Sequence, residues 1–392
     1  MREVVIVDAV RSPIGKRKGA LASVHAIDLL GPVLNGVMSR TGLDPAEVGQ
    51  VVGGCVGQVG MQSMNVTRSA WLAAGLPLTV PATTVDAQCG SSQQAATLAY
   101  SLVASGVVDT AVACGVEVMS KVFLGSTTPK DPDVGKPINR TYWQHYEFTT
   151  QYEGAERLAE RWGITRAETD AFGLLSQQRS ALALQEGRFD GQLIPIDVPD
   201  RGPDGKALGT SAAFARDEAP RASTQEGLAA LKPTGRPDGV HTAGTSSQIA
   251  DGAAAVLLMT RERARALGMN PLATIVDSCI VGCDPVLMLE GPVPATRKLL
   301  GASGLSIGDV DVIEINEAFA SVVLAWEREL KADMTRVNPN GGAIALGHPL
   351  GATGAILIAK AVHELTRTGG EYGLVTMCCG GGLGTGTLLR RG

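Results

Sequence analysis

Apolar residues along this chain fall into two rhythms. Short apolar runs at Val4–Val7, Val51–Gly54, Thr83–Val85 and Thr110–Ala113 read as buried strands, and Leu374–Met377 repeats the pattern near the far end. Between strands, apolar positions recur three or four apart, as at Ala95, Leu98, Ala99 and Leu102, which predicts helix. Buried strands interleaved with helices predict mostly parallel sheets covered on both faces, an α/β core.

The pattern also echoes itself. Gly42, Leu43, Val48 and Val51 recur as Gly304, Leu305, Val310 and Ile313, all at an offset of 262. In the same order, Ile6-Val7-Asp8 resembles Ile275-Val276-Asp277, and Ala113-Cys114-Gly115 resembles the segment Met377 to Gly380. Three ordered matches predict two similar halves. The middle breaks the rhythm with Pro/Gly/Asp-rich stretches, Asp131–Pro137 and Pro199–Lys206, and a charged helix near Gly154–Trp162. It reads as an inserted loop domain, after which Gly252–Met259 and the helix Arg261–Leu267 return to the first half. The division expected is 1–120 with 248–269, a loop domain over 121–247, and 270–392.

Composition narrows the function. The 392 residues carry a net charge of −5 and no dense basic run, which argues against a nucleic-acid binder. Hydrophobic content of 44% excludes a disordered chain. No apolar run is long enough for a membrane span, and Met1–Asp8 reads as a first strand, so a cytoplasmic protein is expected. The seven cysteines include no C-x-x-C pair, so neither a disulfide frame nor a metal site is expected. Forty-nine glycines point to tight turns and close backbone approaches.

Several residues could do chemistry. Cys89 sits between a β-branched run and a small-residue helix start, where a helix dipole would lower its pKa; the alternative is a buried structural cysteine. His348 precedes Pro349, which suits the first turn of a helix, so its ring would be kept neutral as a base; the alternative is a capped or solvated histidine. The 262 offset carries Cys89 to position 351, three residues from His348, so the two helix starts could face one cavity. Cys378 runs into the glycine turn Gly380-Gly381-Gly382, whose free N–H groups could form an oxyanion pocket. Asn316 and Glu317 end an apolar strand, where α/β sheets place ligands; a helix N-cap with a first-turn acid is the alternative. The loop His241–Gln248 could bind an amide-rich ligand or be a plain turn.

Taken together, Arg11-Ser12-Pro13-Ile14-Gly15-Lys16, the Cys89 segment, Gly115-Val116-Glu117-Val118-Met119-Ser120, Asn316-Glu317-Ala318-Phe319-Ala320, Asn340 to Pro349, and Cys378-Cys379-Gly380-Gly381-Gly382 resemble the thiolase family over essentially the whole chain. The resemblance implies a five-layered α-β-α-β-α fold of two repeated halves with a loop domain. It implies a homodimer or homotetramer, coenzyme A thioester substrates and no permanently bound cofactor. By the family pattern Cys89 is the nucleophile that carries the acyl group, and His348 activates it. Cys378 is the acid/base at the acetyl-CoA methyl carbon. Asn316 holds a water in one oxyanion hole with His348, the N–H groups of Cys89 and Gly380 form the second, and Ser247 contacts the pantetheine arm. The activity implied is thiolytic cleavage of 3-oxoacyl-CoA, with acetyl-CoA C-acetyltransferase as the runner-up. A noncatalytic acyl-CoA or lipid carrier is the alternative of a different class. Ketoacyl synthases are disfavoured, since a Cys-His-His set would differ at Asn316 and Cys378.

Three departures from the family pattern stand out. Ser92 replaces a common Gly, Cys379 replaces a usual apolar residue, and Gln151-Tyr152 stands where short-chain biosynthetic members carry Met-Gly. Tyr142, Trp143, Tyr146, Phe148 and Tyr152 crowd one short segment, expected either to shape an acyl pocket or to form loop-domain core or a subunit contact.

Overall fold

The structure is a computed structural model describing residues 2–201 and 207–392. The stretch Pro199–Lys206 therefore lies partly outside the described residues. The first half runs β1 (Val4–Arg11), β2 (Gly15–Lys16), α1 (Ala26–Thr41), β3 (Gln50–Gly54), α2 (Val66–Ala73), β4 (Ala82–Val85), α3 (Ser91–Ser105) and β5 (Thr110–Val118). The insertion carries α4 (Arg140–Trp143), α5 (Gln151–Trp162), α6 (Arg166–Gln185), the hairpin β6 (Ile196–Arg201) and β7 (Ala207–Phe214), and α7 (Gln225–Ala229). Then β8 (Ala250–Thr260) and α8 (Arg261–Ala266) rejoin the first half. The second half follows as β9 (Ala273–Gly282), α9 (Pro292–Ser303), β10 (Val312–Ile315), α10 (Ala320–Leu330), α11 (Ala343–Leu346), α12 (Leu350–Thr368), β11 (Tyr372–Cys379) and β12 (Leu383–Arg391).

Strand order displays the repeat. One half reads β4-β3-β5-β8-β1 and the other β10-β11-β12-β9, with Val337 bridging β10 in parallel where β4 flanks β3. Pairing directions match position for position: β3–β5 and β10–β11 are parallel, while β5–β8, β8–β1, β11–β12 and β12–β9 are antiparallel. The halves join through β1 and β9 at only Val5↔Thr274 and Ile6↔Ala273. The expected mostly parallel sheet is thus corrected to a mixed one. Parallel neighbours need a long crossover, whereas the short glycine turn between β11 and β12 compels antiparallel pairing.

Side-chain alternation builds five layers. In β1, Val5 and Val7 face α1 and α2, while Val4 and Ile6 face α3 and α12. On the far side α9 and α10 cover β10 and β12 through Leu299, Val323 and Trp326. α12 is buried on all sides from Leu350 to Val362, as a central-layer helix must be. Lys360 on it pairs with Glu314 of β10 (2.6 Å) and donates to Gly341 O (2.7 Å), fixing the helix beneath the 338–348 loop. Burial pushes the Glu314 carboxyl up to about 7 despite that partner. One strand expected to be buried is not: β4 lies on the sheet edge and Thr83 is exposed.

The insertion is anchored by buried polar contacts. Arg11 holds Asp217 through two hydrogen bonds (2.7 and 2.8 Å), with both side chains fully buried. Ser176 of α6 donates to Glu317 (2.6 Å), and within the insertion Glu156 of α5 meets His241 Nδ1 (3.0 Å). Among the described residues no helix is long and apolar enough to cross a membrane.

Candidate active site

Cys89 sits in a strained turn between β4 and α3. Gln88, just before it, adopts φ +53°, uncommon for a residue with a side chain. Three contacts hold the turn. Asp86 Oδ1 accepts the Gln88 N–H (2.7 Å), Ser91 Oγ accepts the Ala87 N–H (3.0 Å), and the Ser91 hydroxyl donates to Gln88 O (2.6 Å). The thiol emerges half-buried, one residue before Gly90, the N-cap of α3. Its expected acidity is corrected by the structure. Burial pushes the thiol up to about 11, although the N–H groups of Gly380 and of Cys89 itself pull the other way.

His348 lies at the matching helix start of the other half. Pro349 is the N-cap and α12 begins at Leu350, one residue later than the sequence suggests. The Thr353 hydroxyl donates to Pro349 O (2.9 Å), so its oxygen accepts from His348 Nδ1 (2.7 Å). That bonding assigns the proton to Nδ1 and leaves Nε2 as an acceptor. Asn316 Nδ2 faces this Nε2 at 3.3 Å, while Asn316 Oδ1 is buried with no protein partner. Burial lowers the His348 pKa to about 4, so the ring rests neutral. Its neutrality was expected from a helix dipole; desolvation is the cause.

Cys378 is the last residue but one of β11, fully buried. Burial first, then the neighbouring thiols of Cys89 and Cys379, push its pKa well above the usual thiol value. Gly381 and Gly382 at φ +76° and +75° turn the chain back into β12 and leave the Gly380 N–H facing Cys89. A Cβ on Gly382 would lie 2.6 Å from Cys283 O, so only glycine fits there. Cys379 gains an account. A Cβ built on Gly90 would stand 2.6 Å from its sulfur, so Cys379 packs directly beneath the Cys89 turn. Ser92 gains one too: its oxygen accepts the Ala355 N–H (2.9 Å), tying α3 to α12.

One cavity is lined by Cys89, His348, Cys378, Gly380 and Ser247. Asn316 stays behind His348. Glu317 lies away from the cavity and serves as an anchor, accepting from Ser176, Asn338 (2.9 Å) and the Ile344 N–H (3.1 Å). Ser246, Ser247 and Gln248 reach the cavity; His241 of the same loop does not. Of the clustered aromatics only Tyr152 lines it, edge-on to Phe319 at 5.4 Å. Tyr142, Trp143, Tyr146 and Phe148 pack mainly on one another, and all but Tyr142 stand largely exposed. The sequence reading missed Gln88 and Thr353. A threonine one turn after His-Pro was the available signal for Thr353.

Two thiols, a neutral imidazole with an unprotonated nitrogen and a backbone donor thus share one hollow between repeated α/β halves, which defines an enzyme of acyl transfer through sulfur. Family models for the thiolase N-terminal domain and the thiolase C-terminal domain match residues 4–262 and 269–391, and the chain belongs to the thiolase family. It is 45% identical to a steroid 3-ketoacyl-CoA thiolase, FadA6, of Mycobacterium tuberculosis, over 100% of this chain and 95% of that one. It is 41% identical to a beta-ketoadipyl-CoA thiolase of Acinetobacter baylyi, over 100% of both. The crystal structure of the Bacillus anthracis acetyl-CoA acetyltransferase superposes with a TM-score of 0.91 at 40% identity, covering 100% of this chain and 99% of that one. The chain is an acyltransferase with thiolase activity.

Proposed function

We propose that the protein works in the cleaving direction, splitting a 3-oxoacyl-CoA into acetyl-CoA and a shortened acyl-CoA. The observation that supports the chemistry of this reading, in either direction, is the convergence of Cys89, His348, Cys378 and Gly380 on one cavity. His348 Nε2 takes the Cys89 proton as the sulfur bonds to the 3-oxo carbon. The oxyanion formed there collapses, and the bond between the 2 and 3 carbons breaks. The electron pair passes to acetyl-CoA as an enolate, which Cys378 protonates at carbon. Asn316, with a held water, and His348 serve one developing oxyanion; the N–H groups of Cys89 and Gly380 serve the other. Each such donor contributes on the order of 3 kcal/mol. Coenzyme A then loses its thiol proton to the Cys378 thiolate and attacks the Cys89 thioester. Cys89 leaves and recovers its proton from His348, so the cycle closes with no resident cofactor. Ser247 contacts the pantetheine arm.

The same reading divides the chain into halves over 1–120 with 248–269 and over 270–392, with the loop domain at 121–247. It carries a homodimer or homotetramer, for which the half-exposed edge strand β4 and the aromatic cluster offer surface. A cytoplasmic setting suits seven unpaired cysteines. Exposure to a 3-oxoacyl-CoA without free CoA, followed by peptide mass spectrometry, should find the acyl group on Cys89. Its absence there would refute the scheme. Acetoacetyl-CoA synthesis is the same chemistry reversed, and relative kcat/KM for acetoacetyl-CoA and longer 3-oxoacyl-CoAs separates the two.

A further inference from the structure

Beside the site cavity lies a second one. It sits over the carboxyl ends of β3, β4 and β5, the end of an α/β sheet where ligands gather. Gln88, Met119, Leu124 and Leu350 line both hollows, so the two share a wall of side chains. Met119 is unbranched and adaptable, and Leu124 is 45% exposed, so this wall can give way. A strap over residues 122–127, which includes Leu124, lines the hollow; it is turned at Gly125 (φ +87°) and closed by the Ser126 N–H on Phe123 O (2.9 Å).

The charge of the lining restricts the occupant. Its ionisable groups are two acids, Asp86 and Glu117, with no Lys, Arg or His. Asp86 caps the Gln88 N–H. Glu117 Oε2 accepts the N–H groups of Val56 and Gly351 (both 2.9 Å), and Oε1 accepts Gly57 N–H (3.0 Å) and Gln62 (2.6 Å). Both Glu117 oxygens are thus taken, and one Asp86 oxygen is held by the turn. A ligand carboxylate entering here would lose water and find no cation. The apolar groups available are Met119, Val122, Phe123, Leu124 and Leu350.

We propose that this second cavity receives the distal part of the acyl group, and that it selects uncharged, long 3-oxoacyl chains over short ones and over ones ending in a carboxylate. The inference rests on the thiolase reading above, in which the CoA arm lies towards Ser247. With the arm there, the wall of Gln88, Met119 and Leu124 faces the tail.

Thiolysis kinetics of the full-length enzyme test it. The kcat/KM for 3-oxodecanoyl-CoA should exceed that for acetoacetyl-CoA by about tenfold or more. That for 3-oxohexanoyl-CoA should exceed 3-oxoadipyl-CoA, of equal chain length, by a similar factor. Ser126→Trp, which fills the second cavity from its strap, should cut 3-oxodecanoyl-CoA turnover about tenfold while acetoacetyl-CoA stays within about twofold. Thr127→Trp is a second filler should the first disturb folding. A flat wild-type profile, an equal loss on both substrates in the fillers, or preference for 3-oxoadipyl-CoA would overturn the proposal while leaving thiolase chemistry standing. Failure of every substrate together with an unacylated Cys89 would instead sink the reaction reading and this one with it.

Discussion

The two helix starts that meet at the cavity are built on the same repeat and finished differently. Before α3, the chain is bent through Gln88 at φ +53° and clamped by Asp86 and Ser91, so a sulfur is held out half-buried. Before α12, the imidazole is enclosed and tied through Nδ1 to the helix behind it. The first half contributes a reactive atom on a strained turn, the second a base of fixed tautomer with its supporting Asn316. A duplicated scaffold brings the two starts together, and a few local substitutions assign the roles. The most severe way to break this division is Cys89→Ala. It should reduce thiolysis by about four orders of magnitude or more, because no group of the second half can replace the nucleophile. Activity near wild type in that variant would mean that another thiol, Cys378 first, carries the acyl group.

The next test concerns acidity. Cys89 is pushed up to about 11 and His348 down to about 4, so at neutral pH both rest uncharged. A raised thiol pKa lowers the thiolate fraction at every pH below it. Iodoacetamide should therefore alkylate Cys89 in the free enzyme about a hundredfold more slowly at pH 7 than a thiol at the ordinary value of 9.0. The rate should climb about tenfold per pH unit through pH 9 without a plateau. An inflection near neutral pH, read by peptide mass spectrometry, would show an ion pair formed before substrate arrives and would erase the contrast between a strained thiol and a shielded base.

How far such features are legible in the sequence depends on their range. The strand runs and the echo of Val51 in Ile313 are local patterns, and β3 and β10 stand at equivalent places in the repeat. Strand direction was not legible, because it is set by which strands become neighbours. Nor was the exposure of β4, since the β-branched Thr83, Thr84 and Val85 suit an inner strand as well as an edge one. The acidity expected for Cys89 came from a helix start next in sequence, while the opposing burial comes from segments some hundreds of residues away. By composition the aromatic cluster around Tyr142 fits a pocket wall, a loop-domain core or a subunit contact equally; position alone separates Tyr152, which lines the cavity, from the others.

Thr353 sharpens the comparison at about tenfold. Its hydroxyl holds His348 Nδ1 at 2.7 Å and thereby fixes the nitrogen that carries the proton. Thr353→Val leaves that N–H buried without an acceptor and should lower kcat/KM about tenfold while shifting the acid limb of the pH–rate profile. Thr353→Ser should restore both. If valine is as good as serine, the threonine only packs the helix, and the second half's base needs no support.

The smallest effect is expected where the two helix starts touch. The Ser92 oxygen accepts the Ala355 N–H across the α3–α12 crossing at 2.9 Å, and a Cβ on Gly354 would collide with Gln93 N at 2.3 Å, so the two backbones are already in close contact. Ser92→Ala removes the hydrogen bond but not that contact. Stability should fall by about 1 kcal/mol, or about 1 °C in Tm, with kcat changed by less than about twofold. A large loss of kcat at unchanged Tm would mean that Ser92 aligns the thiol with the imidazole, and that the two starts are set by this one contact. An effect confined to stability places the alignment in the glycine-permitted packing of α3 on α12, which the two halves share.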